Sequence, residues 1–122
     1  MARYLISFNN GTMDIPEGDL PDVAKAARAV VQETMDAGVY VFSGGLPLNV
    51  EYDVVDTDGS ITDGPYPESK EHIGGFLIVE ASTRAEAVEW AKKTASACRC
   101  PQDVREFLPD PFVEAWTAHK TR

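Results

Sequence analysis

The chain holds two histidines, two cysteines and few positive charges: 11 lysines and arginines stand against 20 aspartates and glutamates, a formal net charge of −9. Each scarcity closes off a class of function. Net negative charge repels phosphate backbones and anionic lipid surfaces, and no basic run or basic–aromatic stripe offsets it. Neither nucleic acid nor membrane is therefore expected as a partner. Cys98 and Cys100 form a lone C-x-C pair. Zinc takes four ligands, and neither His72 nor His119 stands at ligand spacing, so the pair reads as two ordinary thiols near a helix end. No apolar stretch approaches the length that crosses a bilayer. The opening M-A-R-Y-L-I-S-F is too short for a signal peptide and no cleavage site follows, which points to the cytoplasm and to reduced thiols. Phosphate-binding glycine loops, a nucleophile elbow and haem or flavin motifs are all missing, so no cofactor is expected.

What remains is the balance of a soluble globular domain. At 122 residues, with 43% hydrophobic and 25% charged side chains, the chain is long enough for one domain with a real core and no staples. Residues 2–8 alternate as a strand that is apolar on both faces. Leu20, Val23, Ala24, Ala27, Val30, Val31 and Met35 recur at helical spacing, opened by Asp19 and Pro21 and closed by Gly38. A strand is expected over 39–43, ending at Gly44 and Gly45, and then a hairpin from Val50 to Thr62 turning at Asp58-Gly59. F-L-I-V-E, 76–80, reads as a continuous apolar strand. Thr83 and Glu86 stand at capping-box spacing ahead of a second helix carrying Ala85, Val88, Ala91 and Ala95. A last strand is expected over 104–108. In the tail, 109–122, Phe112, Val113 and Trp116 suit a short docking helix.

Strand, helix, strand, inserted hairpin, strand, helix, strand is a ferredoxin-like α+β order, with both helices on one face of the sheet. Tyr4/Leu5/Ile6, Tyr40/Val41/Phe42 and Phe76/Leu77/Ile78 nevertheless put apolar groups on both faces. Two helices cover only one of them. A second copy of the same sheet is the simplest cover for the other, which predicts a two-fold homodimer.

Between the hairpin and the strand over 76–80 runs D-G-P-Y-P-E-S-K-E-H-I-G-G-F, Asp63 to Phe76. A loop at this place in the order is where a fold carries function. Its D-G-P start, its K-E pair and its closing G-G-aromatic resemble the D-G-P-F signature of the YCII-related family, and matching flanks extend the likeness across most of the chain. The resemblance implies a dimeric α+β barrel. It implies no reaction, because most D-G-P-F members have no assigned activity.

Within that loop Asp63 has two readings: a turn residue whose carboxylate caps backbone amides, or a general base at the mouth of a cleft. Glu71, from the matched K-E pair, is the second carboxylate candidate. Tyr66 replaces the usual Phe of the signature and would line the cleft, and His72 beside Glu71 is a further ligand-binding candidate. Gly74 and Gly75 permit close backbone approach, either to a ligand carboxylate or to a neighbouring strand. Arg105 matches the arginine of the family's last strand. It would hold an anionic group bidentately or neutralise Asp63 or Glu71 as a buried pair. The histidine of the first helix and the aspartate after the second, associated with the shorter YCII pattern, are both absent here. Two functions follow as expectations. One is binding of a small polar or anionic organic molecule, an acid or hydroxylated metabolite, with cofactor-free isomerisation or elimination by Asp63 and Glu71. The other is a non-catalytic dimer in an accessory or sensing role, since D-G-P-F proteins resemble components encoded near alternative sigma factors.

Overall fold

The computed structural model describes residues 1–9, 12, 14–47, 52–63 and 72–120, with Asp63 and 117–120 described by backbone alone. Four strands, β1 (Ala2–Asn9), β2 (Tyr40–Gly45), β5 (Ile73–Ala81) and β6 (Asp103–Glu106), form an antiparallel sheet in the order β2-β5-β1-β6. A separate two-stranded ribbon, β3 (Asp53–Val55) and β4 (Ile61–Asp63), is the inserted hairpin. Helices α1 (Leu20–Asp36) and α2 (Arg84–Cys98) pack against each other, and α2 also packs on the sheet; α3 (Pro111–Lys120) ends the chain. This is the ferredoxin-like α+β plan.

Alternation along the strands divides the sheet into two unlike faces. Tyr4, Ile6, Leu77, Val79 and Ala81 point under the helices and form the core with Ala87 and Ala91 of α2. The buried stripe of α2 runs Ala87, Ala91, Cys98, turned from the expected Ala85–Val88–Ala91–Ala95 line, because alanines on several sides make its polarity nearly featureless. On the other face a cross-strand row runs from Phe42 through Ile78 and Leu5 to Arg105. A β-bulge in β2 between Tyr40 and Phe42 makes that row possible. Tyr40 sits opposite core-facing Val79, whereas Phe42 sits opposite outward-facing Ile78.

The helix ends are set by local chemistry. At the end of α1, Gly38 takes φ +74, its amide reaches the Met35 carbonyl and the Val39 amide reaches the Thr34 carbonyl. That is the left-handed stop expected of a glycine there. At the start of α2 the Thr83 hydroxyl accepts from the Glu86 amide at 3.2 Å, and Glu86 accepts from the Ser82 amide at 3.0 Å. The ribbon turns at Asp56–Gly59, with Gly59 at φ +88 and its amide on the Asp56 carbonyl. Gly44 and Gly45, expected to close the second strand, lie inside it: ladder bonding to Phe76 and Gly75 extends β2 through both. Among the described residues no helix is long and apolar enough to cross a membrane.

Candidate functional site

Two concavities flank the sheet, one on each face. On the open face a groove of about 860 Å³ is floored by Leu5, Phe42 and Ile78 and bordered by Arg105, Phe107 and Val113, where the chain runs from β6 into α3. Arg3 and Glu80, opposite each other on β1 and β5, approach to 3.6 Å on this face. Its large side chains stay uncovered: Phe42 is 59% and Phe107 43% exposed. On α3, Phe112 is 85% and Trp116 62% exposed.

On the helix face a second cavity of about 610 Å³ lies between α1 and the far ends of β2 and β5. Its origin is a coincidence of small residues. Ala24 and Ala27 of α1 look toward Gly44, Gly45 and Gly75 of the sheet, and where neither side supplies bulk the close packing of the core stops. Phe8, Val23, Val30 and Leu77 make an apolar floor. Leu20, Ala24, Arg28 and Gly45 are exposed, so the cavity opens to solvent along α1. The polar part of the wall is Arg28, Ser43, Thr94, Cys98 and Gln102. Ser43 shares a hydrogen bond with the Tyr40 hydroxyl at 3.0 Å, and Thr94 donates to the Trp90 carbonyl at 2.9 Å. Burial, helped by neighbouring Cys100, pushes the Cys98 thiol up, so it stays protonated at neutral pH. Gln102 donates through Nε2 to the Cys100 carbonyl at 3.4 Å, and its buried Oε1 has no partner among the described residues.

Of the residues singled out in the sequence, those described lie on both faces of the sheet. Arg105 lies opposite Leu5 on the open face, whereas Gly75 belongs to the wall of the helix-face cavity, on the other side of the sheet. Gly74 is buried, and its carbonyl accepts from the Leu46 amide at 2.8 Å. Gly75 is where the close approach occurs: a Cβ there would stand 2.7 Å from the Phe8 ring and 3.3 Å from the Gly44 carbonyl oxygen. His72 shares a hydrogen bond with Tyr52 through Nδ1 at 3.1 Å, and the two rings meet edge-on at 5.7 Å. The Asp63 backbone pairs with Asp53 at the end of the ribbon; its side chain, and all of Tyr66 and Glu71, lie outside the described residues. Arg28 was missed by sequence reasoning, because an arginine on the polar side of an amphipathic helix is indistinguishable from a solvated one. Its signal was the pair of alanines, Ala24 and Ala27, flanking it on a face otherwise built from valines.

Among the described residues no three His, Cys, Asp or Glu side chains gather as a metal site. No curated protein matches the chain. The profile of the YCII-related domain matches residues 20–98, from the first residue of α1 to the last of α2, and on that match over more than half its length the chain belongs to the YCII-related family.

Proposed function

We propose that this protein is a binding protein for a small organic molecule, held in the cavity between α1 and the glycine-ended strands, and that it works as a two-fold dimer. The cavity carries the reading: about 610 Å³ of apolar-floored space, open at one side and furnished with a few polar groups, is the usual form of a metabolite site. The chain leaves the ribbon at Asp63 and re-enters the sheet at Ile73, just before cavity-lining Gly75. That path supports a site beside the D-G-P loop, with Asp63, Glu71, Tyr66 and His72 as proposed mouth residues and Gly74 fixing the strand behind them. Membership of the D-G-P-F subgroup rests on the same loop.

Binding without turnover is the form the wall favours. Among the described residues it includes no carboxylate or histidine, and its one thiol is held protonated. Acid–base isomerisation or elimination would have to be carried by Asp63 and Glu71 from the loop. The uncovered apolar face of the sheet supports the dimer, and two free thiols accord with a reducing, cytoplasmic setting.

Ligand-observed NMR with a panel of small organic acids, phenols and lactones tests the cavity, comparing wild type with Ala27→Leu, which fills it, and with Asp63→Asn. Hits that vanish in Ala27→Leu at an unchanged melting temperature support the site. Hits indifferent to Ala27→Leu overturn it. Conversion of a hit by wild type but not by Asp63→Asn would move the protein from binder to enzyme.

A further inference from the structure

Arg28 is the one charged side chain in the wall of the helix-face cavity among the described residues. It stands at the mouth, exposed, and no carboxylate among the described residues pairs with it. Lys25, Arg84 and Arg105 likewise form no ion pair with a described carboxylate. Arg3, Lys92, Lys93 and Arg99 each hold a carboxylate, at 2.8 to 3.6 Å. A guanidinium with no paired carboxylate among the described residues thus stands at the entrance to an apolar space.

We propose that the cavity takes a small monocarboxylate with an apolar body, aromatic or branched aliphatic, whose carboxylate is gripped at the mouth by Arg28. The inference rests on reading this cavity as the ligand site. A carboxylate finds no counter-charge by following the apolar body inward, because Phe8, Val23, Val30 and Leu77 are apolar, Ser43, Thr94 and Gln102 are neutral, and burying an unpaired charge is costly. At the mouth it meets a planar fork of donors that matches its two oxygens. A second carboxylate at the far end of the molecule would be driven against that floor with no cation to meet it, so dicarboxylates are rejected. The anion-binding role expected of Arg105 passes to Arg28, since Arg105 faces the opposite side of the sheet.

Calorimetry and ligand-observed NMR with benzoate, its neutral isostere benzamide and the dicarboxylate terephthalate test this. Benzoate is expected to bind about tenfold more tightly than either of the others, the difference a charge-assisted hydrogen bond makes at a partly exposed site. Arg28→Gln is expected to bring benzoate down to the level of benzamide, with Arg28→Lys in between and Ala27→Leu abolishing both. Added salt should weaken benzoate and leave benzamide unchanged. If benzoate and benzamide bind alike, or if Arg28→Gln changes nothing, Arg28 is not the anchor. The cavity reading then still stands, provided Ala27→Leu removes both ligands. Should none of the three bind wild type, or should binding ignore Ala27→Leu, both the inference and the cavity reading fall.

Discussion

At Gly75 a single missing side chain links the sheet to the cavity. The Phe8 ring occupies the place a Cβ would take, 2.7 Å away at its nearest atom, and the Gly44 carbonyl oxygen closes the other side at 3.3 Å. A ring end can swing but a ladder carbonyl cannot, so Gly75→Ala must push Phe8 toward the cavity it lines. Alanine would itself favour the strand by about 0.5–1 kcal/mol over glycine. The overpacking should cost about 1–3 kcal/mol and outweigh that gain. The expected outcome is a net loss of about 1–2 kcal/mol, read as a lower denaturation midpoint at constant m-value. In a double-mutant cycle with Phe8→Ala the two losses should be less than additive, because removing the ring removes the clash. Additive losses would mean that the glycine serves its backbone conformation and not the contact. Gly44 offers the contrast: a Cβ there would meet the Phe76 ring at 3.8 Å, an ordinary contact, although both glycines look alike in the sequence.

The two long helices begin differently, and their first residues should respond differently to substitution. Thr83 is extended at φ −139 and its hydroxyl accepts from the Glu86 amide, so Thr83→Ala should cost about 1 kcal/mol. Asp19 precedes α1 in helical conformation, after a 3-10 turn over Glu17–Asp19, and makes no side-chain cap; its carboxylate holds Arg99 at 2.9 Å instead. An exposed pair of that kind contributes little, so Asp19→Ala should shift stability by no more than about 0.5 kcal/mol. Chemical denaturation of the two variants side by side separates a cap from a surface pair, and equal losses would contradict the assignment. Both helices, the Gly38 stop of the first and the order of the elements were legible in the sequence, because caps, turn glycines and apolar periodicity act over a few neighbouring residues, whereas the left-handed Arg99 that ends α2 was not. What was not legible depends on two elements meeting. Gly44 and Gly45 read as punctuation, yet β5 recruits them as strand. The bulge that turns Phe42 outward exists only in the register with Ile78 and Val79. Ala24, Ala27 and Arg28 read as helix-formers and a solvated charge until glycines stand opposite them.

On the scale of the whole molecule the two faces of the sheet carry different physics. Among the described residues the helix face is closed over its core and opens at the small-residue corner, where an apolar space and one cation form the proposed ligand site. Among the described residues the open face has no such closure: Phe42, Ile78 and Leu5 form an apolar row that the described part of α3 borders without covering. Apolar surface of that kind, continued by Phe107 and by Phe112 and Trp116 of α3, is what a second copy of the chain would bury. Two opposed tendencies would govern that proposed assembly. Burial of the row drives association, while a charge of −9 on each copy resists it. Added salt screens the repulsion and leaves the apolar term in place, so the dimer should tighten as ionic strength rises, the reverse of the trend expected for a carboxylate on Arg28. Light scattering on wild type at micromolar concentration is expected to return twice the chain mass. Phe42→Glu is expected to return the single chain mass with little loss of fold, since that ring is 59% exposed in the monomer and leaves no large void. A monomeric wild type at every salt concentration would show that the open face is covered by something other than a second copy. The cavity on the opposite face, built within one chain, would keep its ligand either way.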